Sequence, residues 1–181
     1  MDQDLVKLSN ALAVATEGMN GEALSRHPEG KWSAAQVLEH LYLTYAGTLK
    51  GMTRCLDGDK PLATKQTLTQ RVKSLAVVEF GYFPEGRKSP TLAEPRGMKA
   101  EDVEREVLEK IAAMDQAISK CEAKFGKRTL LLDHPVIGPL NARGWRRFHL
   151  AHGLHHSKQL ERLRSMVREQ QLAGEVAAAK G

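Results

Sequence analysis

Residues 148–163 read FHLAHGLHHSKQLERL. On an α-helix, at about 100° per residue, His149, His152, His156 and Gln159 fall in one sector about 100° wide. Trp145, Leu160, Leu163 and Val167 share that sector. Arg146, Arg147, Lys158, Glu161 and Arg164 are expected on the opposite, solvent-facing side. The segment therefore reads as a core-facing amphipathic helix, from about Ala142 to Gln171, with Asn141 as its N-cap. A polar group buried there without a partner costs about 1–3 kcal/mol. Three inward histidines and a glutamine must be satisfied by something inside the fold.

A divalent metal ion is the economical answer. Histidines at i and i+4 put two imidazoles on one face, within reach of one ion. His152 and His156 have that spacing, and His149 and His152, at i and i+3, form a second possible pair. A further ligand must come from another helix, and His40 is the only histidine inside the second helical pattern. Gln36, Thr44, Gly47 and Gly51 flank it, and the small residues are expected to leave space beside it. A three-histidine site with room for water or substrate is the catalytic arrangement of zinc-like ions. His149 is a candidate fourth ligand or base, and His155 belongs to the rim. Gln159 is placed to orient a ligand histidine from behind, and Gln36 is a candidate pocket residue. The competing reading has no metal, with the histidines bonded to one another and to Gln159. His27 and His134 each precede a proline and are expected in turns, His134 as a loop-capping or packing residue.

The rest of the chain points to an all-α fold. Leu5, Leu8, Leu12, Ala15 and Met19 make one stripe from about Gln3 to Gly18. Ser33 and Gln36 predict a capping box for a helix from about Ala34 to Arg54, with Trp32 and Val37 as its hydrophobic staple. Val103, Val107, Ile111, Met114, Ile118 and Cys121 predict a third helix, about Glu101 to Ala123, closed by Gly126. Residues 20–31 read as turns, and TLLLDHPVIGPLN (129–141) as a connection, because strand signals are poor. Between the second and third helices, Thr67 to Val78 suits a short helix. EFGYFPEGRKSPTLAEPRG (79–97) is rich in glycine and proline, and the insertion 80–98 reads as a lid over the site or as a bracing loop. The four long patterns predict a four-helix bundle in one domain, 1–181, with residues 172–181 frayed.

Composition narrows the function. The chain has 181 residues, 41% hydrophobic and 27% charged, enough for one buried core and too apolar for disorder. Cys55 and Cys121 form no CxxC pair and read as free thiols of a cytoplasmic protein. The formal charge of +5 is mild and mixed. With no nucleic-acid reader motif beside it, no nucleic-acid partner is expected. No apolar run is long enough for a membrane span, and no secretory leader is read at the start.

Two stretches resemble a known family. KWSAAQVLEHL (31–41) looks like the second-helix motif of the DinB-like (DinB/YfiT-like) metalloprotein superfamily: tryptophan, serine cap and a histidine seven residues on. HPVIGPLNARGWRRFHLAHGLHHSKQLERL (134–163) resembles the last-helix motif of its DinB_2 branch. YFPEGRKSP (82–90) is similar to an insertion of some bacterial members. The resemblance implies a four-helix bundle in up-down-down-up order, frequently a homodimer. It also implies a divalent ion, nickel, zinc, iron or manganese, held by one histidine of the second helix and two of the last. Those positions are His40, His152 and His156 here, the set that the helical wheel also reaches. His149 occurs in only part of the family.

The leading expectation is a metal-dependent enzyme of the thiol-S-transferase or hydrolase type. Its ion would activate a low-molecular-weight thiol, or water, as a nucleophile near neutral pH. The alternative is a non-catalytic metal-binding or stress-response bundle, which a closed site with His149 as fourth ligand would favour. No carboxylate has a catalytic claim. Glu39 is expected to project away from the stripe that carries His40.

Overall fold

A computed structural model describes residues 1–80 and 90–178. The described chain is mostly helical. Helix α1 (Gln3–Thr16) starts at Asp2, whose carboxylate accepts the Asp4 N–H at 2.9 Å. Its stripe Leu5, Leu8, Leu12 and Ala15 is buried. A short helix α2 (Gly21–Ser25), capped by Asn20, interrupts the stretch expected as turns. Five residues are too few to show a helical period, so only the cap could have announced it.

Helix α3 (Ala34–Asp57) has the capping box in full: Gln36 N–H to the Ser33 hydroxyl, and Ser33 N–H to Gln36 Oε1 at 2.9 Å. Helix α4 (Leu68–Phe80) begins after Thr67, whose hydroxyl accepts the Gln70 N–H, while Gln70 Oε1 accepts the Thr67 N–H. The insertion expected over 80–98 lies outside the described residues at 81–89. Its remainder holds a short 3-10 turn, Thr91–Ala93. Helix α5 (Ala100–Phe125) ends at Gly126, where φ is 96°.

A small hairpin departs from the expected plain connection. Strands β1 (Leu132–His134) and β2 (Gly138–Leu140) pair antiparallel, with Asp133 opposite Pro139. Three-residue strands show no usable alternation, and Pro139 argues against a strand except at an edge. Helix α6 (Ala142–Ala178) then runs past Gln171. Residues 172–178, within the tail expected to fray, continue the helix, since the run LAGEVAA holds mostly strong helix formers.

Helix α3 packs along α5 and α1 along α6, while α4 lies against α6 and β2. Tyr45, Leu38, Leu41, Ile111, Met114, Ile118 and Leu160 fill the interior. Gly153 brings α6 against Leu8 of α1: a Cβ at that position would collide with the Leu8 side chain. Gly51 likewise admits Leu132 of the hairpin. The expected space beside His40 is thus not provided by Gly51.

Arg146 is a second correction. It is 7% exposed rather than solvent-facing. On the wheel it lies about 60° from His149, at the border of the buried sector rather than opposite it. Its guanidinium reaches Asp115 at 2.9 Å, Glu122 at 2.8 Å and the Ser119 hydroxyl at 2.8 Å, tying α6 to α5. The second oxygen of Asp115 accepts the Asp2 N–H at 2.7 Å, which draws the start of α1 into the same network. Among the described residues, no helix is long and apolar enough to cross a membrane.

Candidate metal centre

His40 lies in the second turn of α3, and His152 and His156 lie one turn apart on α6. Their ligand nitrogens stand within 4.8 Å of one another. The Nε2 atoms of His40 and His152 are 3.3 Å apart, and those of His152 and His156 are 3.1 Å apart. His40 is buried, and His152 and His156 are mostly buried beside it. Trp32 lies tilted over His40, with ring centroids 5.4 Å apart. Phe148 stacks on His152 at 5.6 Å.

Two of the three tautomers are dictated by what lies behind the rings. His40 Nδ1 faces the Ala93 carbonyl at 2.8 Å, so it donates, and the proton sits there. His156 Nδ1 faces Gln159 Oε1 at 3.0 Å and donates in the same way. Both Nε2 atoms therefore present lone pairs toward His152 Nε2. At most one proton on His152 Nε2 can serve one of them. Additional protons are disfavoured, because burial holds all three imidazoles below their ordinary range. For His152, well below it, the neighbouring histidines add to burial. For His156, burial and then His40 push the value down to about 3. For His40, burial outweighs the Ala93 bond. Neutral imidazoles with converging lone pairs, two of them anchored at the back nitrogen, are a donor set that could hold a divalent transition-metal ion.

The other candidates stand apart. His149 is fully buried and is not among the mutually close nitrogens. Its Nε2 lies 3.0 Å from the Thr48 hydroxyl, and its ring sits among Tyr45, Trp145 and Phe148. Burial pushes it down to about 3. Its Nδ1 and the Tyr45 hydroxyl have no hydrogen-bond partner among the described residues. His155 is exposed, with its ring 5.1 Å from that of His156. Gln36 is spent on the capping box. His134 caps the hairpin: its Nδ1 accepts the N–H groups of Val136 at 3.1 Å and Ile137 at 3.3 Å.

One participant escaped the sequence reading. Glu39 points away from the histidine stripe, yet it is 4% exposed. Its carboxylate accepts the N–H groups of Arg96 at 2.7 Å, Gly97 at 3.0 Å and Met98 at 3.0 Å. These partners lie 57 to 59 positions along the chain, beyond any helical period. The only local sign was Gly97 in the PRGM turn.

A family model described as "Protein of unknown function (DUF1569)" matches residues 5–163. The chain belongs to that family, and the match takes in His40, His152 and His156. No curated protein and no solved structure matches.

Proposed function

We propose that this chain is a DinB-like divalent-metal protein, and that His40, His152 and His156 hold the ion. In this reading α1, α3, α5 and α6 are the four helices of the bundle, in up-down-down-up order. The observation that carries it is the pair of anchored back nitrogens. Ala93 O and Gln159 Oε1 take the Nδ1 protons of His40 and His156, which leaves Nε2 lone pairs aimed at a common point. An ion at that point would accept both lone pairs at once, whereas a proton on His152 Nε2 serves one of them. Among the described residues no fourth ligand joins the three convergent nitrogens, which favours an open position over a closed structural site.

An ion there would lower the pKa of a thiol or water at the open position, and so supply a nucleophile near neutral pH. The chain's own contribution is to hold three neutral donors in place, with Trp32 packed against His40 and Phe148 against His152. The function that follows is thiol transfer or hydrolysis on a small substrate. Two buried thiols, Cys55 and Cys121, suit a reducing, cytoplasmic setting.

Metal analysis of protein purified without a polyhistidine tag tests the reading. About one equivalent of a transition metal per chain is expected, lost in His152→Ala. Trace metal, equal in both proteins, would overturn it. With metal present, a panel of thiol cofactors and electrophilic acceptors tests catalysis. Uniform inactivity there and against hydrolase substrates would leave a non-catalytic metal-binding bundle. The ion recovered follows availability as much as preference, since an all-histidine site discriminates weakly among divalent metals.

A further inference from the structure

Two adjacent residues of α3 hold one loop from two sides. His40 donates to the Ala93 carbonyl, and Glu39 collects three successive backbone N–H groups from residues 96–98. Gly97, with φ at 95°, helps turn those groups toward one point, a backbone nest for an anion. A carboxylate so deeply buried must be compensated. Here the loop backbone does it through charge-assisted bonds, roughly twice as strong as neutral ones. The place of the Ala93 carbonyl therefore depends on Glu39.

That dependence matters for the proton on His40. With the carbonyl in place, the proton belongs on Nδ1. With the loop released, His40 could instead carry it on Nε2 and donate to His152 Nε2, 3.3 Å away. The second tautomer removes a ligand lone pair from the cluster.

We propose that Glu39 is a positioning residue of the histidine centre: by clamping residues 96–98 it holds the Ala93 carbonyl against His40 and keeps the Nε2 lone pair directed at His152 and His156. The consequence for metal binding rests on the proposed function, whereas the tautomer does not.

The test uses Glu39→Gln in the full chain. A carboxamide keeps the shape but offers one acceptor oxygen, and turns an NH2 group toward the loop donors. Ring-nitrogen NMR of metal-free protein should show His40 as a single Nδ1–H tautomer in the wild type and as a mixture in Glu39→Gln. Amide exchange should rise at residues 96–98, and zinc affinity should fall about tenfold or more, the usual effect of a lost outer-shell partner. Gly97→Ala strains the same turn and leaves the carboxylate intact. It should move all three readouts the same way, and it serves if Glu39→Gln does not fold. An unchanged His40 tautomer in the folded variant would overturn the proposal, and so would unchanged zinc affinity when the wild type binds zinc. Should the wild type bind no zinc, the metal reading falls, and the tautomer comparison alone still decides the role of Glu39.

Discussion

Gln159 stands behind His156 on α6, its Oε1 3.0 Å from His156 Nδ1. The pair is local, at i and i+3, so the helix presents the proposed ligand and its orienting partner together. Removing the partner frees the ring to rotate and to exchange tautomers. Gln159→Ala should weaken zinc binding about 10- to 100-fold with little loss of stability. Competition titration against a chelator measures the first and urea unfolding the second. Wild-type affinity in this variant would show that the glutamine is only a polar neighbour.

Two helix glycines should respond to the same substitution with opposite signs. Ala for Gly in a helix interior is worth about 0.5–1 kcal/mol in propensity. Gly47 is exposed, and a Cβ there would meet nothing within 4 Å. Gly47→Ala should therefore stabilise by about that amount. Gly153 faces Leu8, which is fully buried and has no room to retreat, and the Tyr45 hydroxyl lies 3.3 Å from the same Cβ position. Overpacking typically costs about 1–3 kcal/mol, so Gly153→Ala should be net destabilising. Urea midpoints that rise for both would mean α1 and α6 are not in close contact at this point.

The triad was legible because both of its clues are local. The i, i+4 pair follows from helical spacing, and His40 sits at a fixed offset from a capped helix start. Arg146 was misplaced because a helical wheel gives an angle and not the neighbours at that angle. At the border of the buried sector, the acids of α5 decide whether a cation turns inward. Glu39 and Ala93 escaped for a related reason: their partners come from a loop that no periodicity describes. His149 matched the stripe as well as the true cluster members do. Only Thr48, one helix away, shows that its Nε2 is otherwise engaged.

Arg146 should be hard to remove. Its main partner Asp115 is 4% exposed, and truncation leaves that carboxylate buried with one backbone N–H from Asp2. Breaking such a pair costs about 3–5 kcal/mol. Arg146→Met, which keeps the aliphatic bulk, should lower stability by that order in urea unfolding. The double variant Arg146→Met, Asp115→Leu should recover part of the loss, because the most deeply buried charge is gone while Glu122 and the Asp2 N–H still lose their partners. A single variant within about 0.5 kcal/mol of wild type, as for an ordinary surface site, would mean the network contributes little.

His134 predicts a specific pH dependence. Burial pushes its pKa down to about 4 from the ordinary 6.5, and its Nδ1 must stay unprotonated to accept the N–H groups of Val136 and Ile137. A folded-state value below the unfolded one means that the unfolded chain binds the proton first. The stabilisation is therefore complete above about pH 6.5 and is lost as pH falls toward 4, by up to about 3 kcal/mol. His149 and His156 shift in the same direction, so the wild-type slope alone does not isolate this group. His134→Asn does, since its side-chain oxygen can accept the same turn N–H groups and carries no titrating proton. With the turn N–H groups still accepted, metal-free wild type and His134→Asn should be closest in stability near pH 7 and diverge toward pH 4 in favour of the variant. The variant should show the shallower decline between those limits. Parallel declines in urea unfolding across that window would mean that His134 titrates alike in the folded and unfolded chains, and that the hairpin is not closed by its ring.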